Sequence, residues 1–240
     1  VSPLIIPIAI EWVILVTTLA PMILVGRLDS RPRLGLAIWF STLFSAGLAV
    51  ALALGVALAS IATTYLKLTA NPIGSESWLL ALVASFAPWA ILAIAGISLA
   101  LVNQRIAPMV STAKDTAPLL AAASKLVRHF DGVEVRQIEL PVMVAAAHRG
   151  SILISTAALA TLNSAELDAV FWHEVGHIRG RHNQLKQLAG FVRALSPWLA
   201  ASCALVIEVE RLGELDADRY ANQHVSEELL GATRSKFISA

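Results

Sequence analysis

The sequence predicts a mainly α membrane protein: three transmembrane helices, a small α+β unit behind them, and a membrane-dipping helical hairpin near the C-terminus. Three observations predict this. Apolar residues make up 57% of the chain, charged residues only 15%, and mean hydropathy is +0.70, whereas a soluble domain is about half apolar and about a quarter charged. Polarity is also uneven: only Arg27, Arg31, Arg33 and Lys67 of the 18 Lys and Arg residues precede residue 103. Finally, three apolar runs are long enough for a bilayer, which takes about 20 residues in a helix.

The first run is Leu4–Val25, interrupted by Pro7, Glu11 and Pro21. It reads as a retained span, because Val1-Ser2-Pro3 has no basic side chain and no small-residue cleavage site follows. Glu11 beside Trp12 reads as an interfacial carboxylate. The second run, Leu34–Tyr65, carries no charge. Gly47, Ala51, Gly55 and Ala59 make a smooth stripe along it, suited to helix–helix association. The third run is Trp78–Val102. Three arginines in loop 26–33, against Lys67 alone in 66–77, place the first loop in the cytoplasm by the positive-inside rule. Residues from 103 onward then return to the cytoplasm.

The expected divisions are a three-span region 1–102, an α+β unit 103–185, an apolar hairpin 186–212 and a C-terminal helix 213–240. Within the α+β unit, Ala117–Phe130 reads as an amphipathic helix. Extended segments Val133–Leu140 and Pro141–Ala147 follow, then a turn at His148-Arg149-Gly150 and a strand Ser151–Ser155. The edge of that last strand is a candidate surface for adding a substrate strand. Asn163, with Glu166 three residues on, starts a helix that runs to about Arg181. A net charge of +1 without a basic stripe argues against nucleic acid. The single cysteine, Cys203, excludes an internal disulfide.

On the Asn163 helix lies His173-Glu174-Val175-Gly176-His177. Histidines at i and i+4 project from one face, so both imidazoles can reach one ion. Glu174 stands beside that ion as a candidate base for a water proton. Six histidines and 11 glutamates in the chain would produce this pattern by chance with a probability of only about 0.7%. A catalytic zinc site needs a third protein ligand and one open position. Glu208, Glu210, Glu214, Asp216 and Asp218 all lie downstream as candidates. His182, Arg219 and Tyr220 are candidate stabilisers of the oxyanion formed on a peptide carbonyl.

The stretch 163–178, with Glu214-Leu-Asp-Ala-Asp218, resembles the integral-membrane gluzincin metallopeptidases. It is most similar to the peptidase part of BlaR/MecR-type sensor-transducers, and similar also to HtpX-type and CAAX prenyl proteases. The resemblance implies a zincin-like catalytic unit holding one Zn2+ through His173, His177 and Glu214, with Asp218 bracing a ligand histidine. Many of those relatives carry Asp where this chain has His182. The sequence shown ends at Ala240 without an antibiotic-binding segment, so β-lactam sensing is not carried over.

With Glu214 as ligand, residues 187–207 cannot be a true fourth span, because bonds of about 2 Å cannot cross a bilayer. The expectation is a hairpin turning at Ser196-Pro197, with arms 182–195 and 198–212. The leading functional reading is a multi-pass zinc endopeptidase of a bacterial cell membrane, acting on proteins or peptides at the cytoplasmic face, in regulatory proteolysis. Its alternative is a non-catalytic signalling or scaffold protein with a structural zinc.

Overall fold

The computed structural model describes residues 5–70, 124–197 and 200–239. The expected third crossing, 78–102, lies outside them. The chain begins with α1 (Ile5–Leu24) and α2 (Pro32–Ala70). A four-stranded mixed sheet follows: β1 (Lys125–Phe130), β2 (Val133–Ile138), β3 (Ala145–His148) and β4 (Ser151–Ser155). Five helices complete it: α3 (Thr156–Thr161), α4 (Ser164–Arg179), α5 (His182–Leu195), α6 (Ala200–Ala221) and α7 (Glu227–Ser239).

Helices α1 and α2 form an antiparallel pair joined across by Trp12 Nε1, which donates to Ser45 Oγ at 3.3 Å. At 39 residues and about 1.5 Å rise per residue, α2 exceeds a bilayer core of about 30 Å. Its first turns belong to the globular part, where Leu36 and Trp39 are buried with Leu205, Val209 and Leu212 of α6. Beyond them Leu48, Leu52, Leu54 and Leu58 are exposed. Among the described residues, Pro32–Lys67 is the one helix long and apolar enough to cross a membrane, by length and composition alone. Gly47, Ala51, Gly55 and Ala59 are exposed on it.

The sheet order is β1-β2-β4-β3, antiparallel except for the parallel β2–β4 pair. This corrects two sequence expectations. Residues 125–130 are a strand, not the end of an amphipathic helix. Asp131 and Gly132 both take positive φ, 49° and 77°, and form a two-residue turn that pairs β1 with β2. Strand β4 is interior, held between β2 and β3, and the edges among the described residues are β1 and β3. A second such turn at Arg149-Gly150, φ 48° and 84°, joins β3 to β4.

The sheet packs one face on α4. Val135, Ile152, Ile154, Phe171 and Val175 are fully buried between them, each apolar side chain contributing about 1.5–3 kcal/mol. Asn163 caps α4 reciprocally with Glu166: each side chain accepts the other's backbone N–H at 3.0 Å. The helix ends at Arg179, and Gly180 and Arg181 separate it from α5. Helices α5 and α6 pack on each other across a break at Ser196-Pro197. Ser196 leaves helical geometry there, at φ −138° and ψ 62°. Proline disfavours helical backbone in the residue before it.

Along α6, Leu205, Val209, Leu212 and Asp216 lie on one stripe facing α2, spaced by three and four residues. Glu214 and Asp218, at i and i+4, project from another face towards α4.

Candidate metal centre

Helix α4 presents His173 and His177 one turn apart, and α6 crosses close enough to bring a carboxylate between them. Gly176 permits that approach. A Cβ there would meet the backbone of Ala217, its Cα at 2.9 Å and its O at 3.1 Å. Glu214 thereby reaches both histidines. Its Oε2 lies 3.4 Å from His173 Nε2, its Oε1 lies 3.5 Å from His177 Nε2, and the two Nε2 atoms are 3.0 Å apart.

This cluster, with one ligand atom from each residue within 4.8 Å of the others, fits a metal ion. Tetrahedral zinc with bonds of about 2.0–2.1 Å separates its ligand atoms by about 3.3 Å, and an N2O donor set suits it. His173, His177 and Glu214 are the group among the described residues whose ligand atoms converge this way. Glu208 and Glu210 do not join them. Glu208 is buried on Arg211, which donates to both its oxygens at 2.9 and 2.8 Å, and Glu210 faces Lys186 at 3.7 Å.

Charge is matched across the cluster. Hydrogen bonds from His173 and His177 hold the Glu214 carboxyl far below the usual carboxylate range. Burial opposes charge on His173, but its contacts with Asp218 and Glu214 outweigh it and push its pKa up to about 9 without a metal. Metal binding therefore displaces a proton from this ring. Glu174 makes no ligand contact. Burial raises its pKa, and the neighbouring histidines and the Ala147 backbone N–H work in the other direction.

The far nitrogen of each candidate ligand ring leads to an acid of α6, directly for His173 and through His182 for His177. His173 Nδ1 lies 2.9 Å from Asp218 Oδ1, and Arg234 of α7 donates to that carboxylate. Burial works against the Asp218 charge, yet His173 and Arg234 keep its pKa low. On the other side, His177 Nδ1 meets His182 Nδ1 at 2.9 Å, and His182 Nε2 meets Asp216 Oδ2 at 3.2 Å. Burial, then His177, lowers the His182 pKa and keeps that ring neutral.

Of the three candidate oxyanion stabilisers, none is brought to the ligand atoms. His182 lies behind His177, Arg219 donates to the Ser30 carbonyl at 2.7 Å, and Tyr220 packs beneath the Arg179 guanidinium. Sequence reasoning missed Asp216 as a partner of His182. It also missed α7, whose Leu230, Thr233, Arg234 and Phe237 line a cavity of about 180 Å3 that opens onto His173, Glu174 and Ala145.

A His-Glu-x-x-His helix closed by a carboxylate from a second helix, with a cavity beside the Glu, defines the centre of a metallopeptidase. The family model "Peptidase family M48" matches residues 116–237, and the chain belongs to that family. It is a metallopeptidase, with protein or peptide substrates. No curated protein matches it.

Proposed function

We propose that the chain is a membrane-embedded zinc endopeptidase, with one Zn2+ on His173, His177 and Glu214 and with Glu174 as general base. The observation that carries this reading is the convergence of both histidine Nε2 atoms, 3.0 Å apart, on the Glu214 carboxylate, one oxygen 3.4 Å from His173 and the other 3.5 Å from His177, beside a second carboxylate that does not join them. When bound, the ion supplies Lewis-acid activation of a water and of the scissile carbonyl.

The chain's own residues do the rest. Glu174 accepts a proton from the attacking water at a carboxylate oxygen and then delivers it to the leaving amine. Burial that raises its pKa brings it nearer the working range of a general base. A structural zinc site needs no such base, which disfavours the non-catalytic alternative.

Strand β3 is the receiving edge for substrate. Val144 O accepts from Ser155 N at 2.9 Å, so alternation turns the N–H and C=O of Ala145 and Ala147 to the open side. Ala147 is already engaged by Glu174 and by Asn183, whose side chain donates to its carbonyl at 2.7 Å. Ala145 remains beside the cavity, where an extended peptide can add as a strand. The cavity, lined by Val170, Leu230, Thr233 and Phe237, fits a modest apolar side chain of that peptide.

The exposed leucines of α2 and the positive loop 26–33 support a bilayer setting with the site at the cytoplasmic face. Helices α5 and α6 then form a hairpin dipping into it. Regulatory proteolysis is the role the sequence resemblance suggests. A single experiment tests the reaction: detergent-purified chain is incubated with a peptide library, with and without a zinc chelator. Chelator-sensitive internal cleavage on one side of an apolar residue is expected; cleavage that survives complete zinc removal contradicts the reading.

A further inference from the structure

We propose that Arg33, on the first turn of α2, and Asp216 are positioning residues for the metal ligand His177, acting on it through His182. The inference rests on the zinc reading in one respect, that His177 Nε2 is a ligand nitrogen.

The connection is continuous. Arg33 Nε lies 3.0 Å from each oxygen of Asp216, and Asp216 and His182 link it to His177 Nδ1. Both inner members are buried, His182 at 1% and Asp216 at 4% exposure. The space for His182 is shaped for its ring. A Cβ on Gly180 would fall 2.1 Å from its Nε2, whereas one on Gly213 would make only ordinary contact, 3.5 Å from its Cγ. Arg181 takes a left-handed φ of 53° between α4 and α5, turning the chain so that His182 comes back under His177.

Chemistry gives the chain a direction. A ligand Nε2 offers its lone pair to the metal, so the proton of neutral His177 sits on Nδ1. That N–H donates to His182 Nδ1, which must accept, so the His182 proton sits on Nε2 and donates to Asp216. Only a carboxylate with no proton of its own serves at the end of this series. Arg33 supplies the compensating charge for an acid that is only 6% exposed in its side chain. Replacing Asp216 by Asn gives the Arg33 side the amide oxygen and turns the NH2 towards His182. That forces the His182 proton onto Nδ1, where it confronts the Nδ1–H of His177. Two donors then face each other behind the ligand.

Arg33 lies outside the segment matched by the family model, residues 116–237. The metal centre is thus completed by the first turn of the long apolar helix, 183 positions away in sequence from Asp216.

The test uses the full chain in detergent. Zn2+ affinity is measured by competition with a chromophoric chelator, and the visible absorption of the Co2+-loaded protein reports ligand geometry. Outer partners of metal ligands typically contribute about 10–100-fold in affinity. Asp216→Asn is expected to lose about 100-fold and Arg33→Gln about 10-fold, both with a shifted Co2+ spectrum. Arg33→Lys keeps the charge but not the fit to two oxygens, so it should recover most of the affinity with the spectrum still shifted. It carries the test alone if Arg33→Gln does not fold. Asp29→Asn, which breaks the pair between the preceding loop and Arg211, is the control and should leave affinity and spectrum unchanged. Wild-type affinity and spectrum in the Arg33 variants would overturn the proposal, as would an equal loss in Asp29→Asn. Wild-type protein that binds no zinc, or Glu214→Ala that binds it normally, would instead overturn the metal reading itself.

Discussion

The two flanks of the metal centre solve one problem in different ways. On the His173 side, Asp218 touches the ring directly and is backed by Arg234, all within the C-terminal helices. On the His177 side an extra imidazole is inserted, and its acid is backed by Arg33 from the opposite end of the chain. The first arrangement is local, its acid 21% exposed; in the second the imidazole and its acid are buried, while the Arg33 side chain that reaches them from α2 is 68% exposed. A partly exposed acid can rely on water when its arginine is lost, whereas a buried one cannot. The His177 flank is therefore the one through which the position of α2 can bear on the metal.

The largest effect expected concerns what the two flanks share. Glu214→Ala removes a proposed ligand and should cost more zinc affinity than the loss of any outer partner, which is about 10–100-fold. Glu210→Ala should cost nothing, since that residue faces Lys186. Metal content of the purified variants checks this, and equal zinc in both would break the assignment. Next comes Gly176→Ala. The added methyl meets backbone, not a flexible tip, so α6 must shift. Overpacking of this kind typically costs about 1–3 kcal/mol, readable as a lower Tm, with zinc affinity falling because Glu214 moves with α6.

Proton competition sharpens the His173 side. Its pKa of about 9 in the metal-free protein lies above the ordinary histidine value of about 6.5. A raised folded-state pKa contributes stability that is full below about 6.5 and is lost as pH rises through about 9. Metal-free protein should therefore lose stability between pH 6.5 and 9, while apparent zinc affinity rises over the same interval. Calorimetry with and without zinc across that range checks both signs. The smallest effect belongs to Arg234→Gln. Its pair with Asp218 is half-exposed, and such pairs are worth about 0–1 kcal/mol, so zinc affinity should fall by no more than about 5-fold. A loss matching that of Arg33→Gln would erase the difference between the flanks.

What was legible in the sequence follows the range of the interactions. The His173–His177 pair and the Asn163–Glu166 cap are three- and four-residue relations within one helix, and their spacing shows them directly. Strand β1 was misread because Leu119, Leu120, Ala123 and Val127 make a plausible helical face. The signal that outranks them is Asp131-Gly132, a two-residue hairpin turn. Strand β3 carries Ala145-Ala146-Ala147, which has no strand preference of its own, so its place at the edge comes from pairing with β4. Arg33 was read only as a loop charge, since its contact with Asp216 exists once α2 and α6 have packed. The role of Glu214 came from a motif resemblance, because five acids within eleven residues, Glu208 to Asp218, are not distinguished by spacing alone.

The central claim is that Glu174 works as a base beside a metal held by other residues. Its most direct test is Glu174→Gln, with zinc content and peptide cleavage measured on the same preparation of the full chain. Glu174→Gln is expected to hold one zinc per chain, as in wild type, with turnover reduced by about 10²–10⁴-fold, the usual contribution of a general base. Cleavage at the wild-type rate by zinc-loaded Glu174→Gln would contradict it.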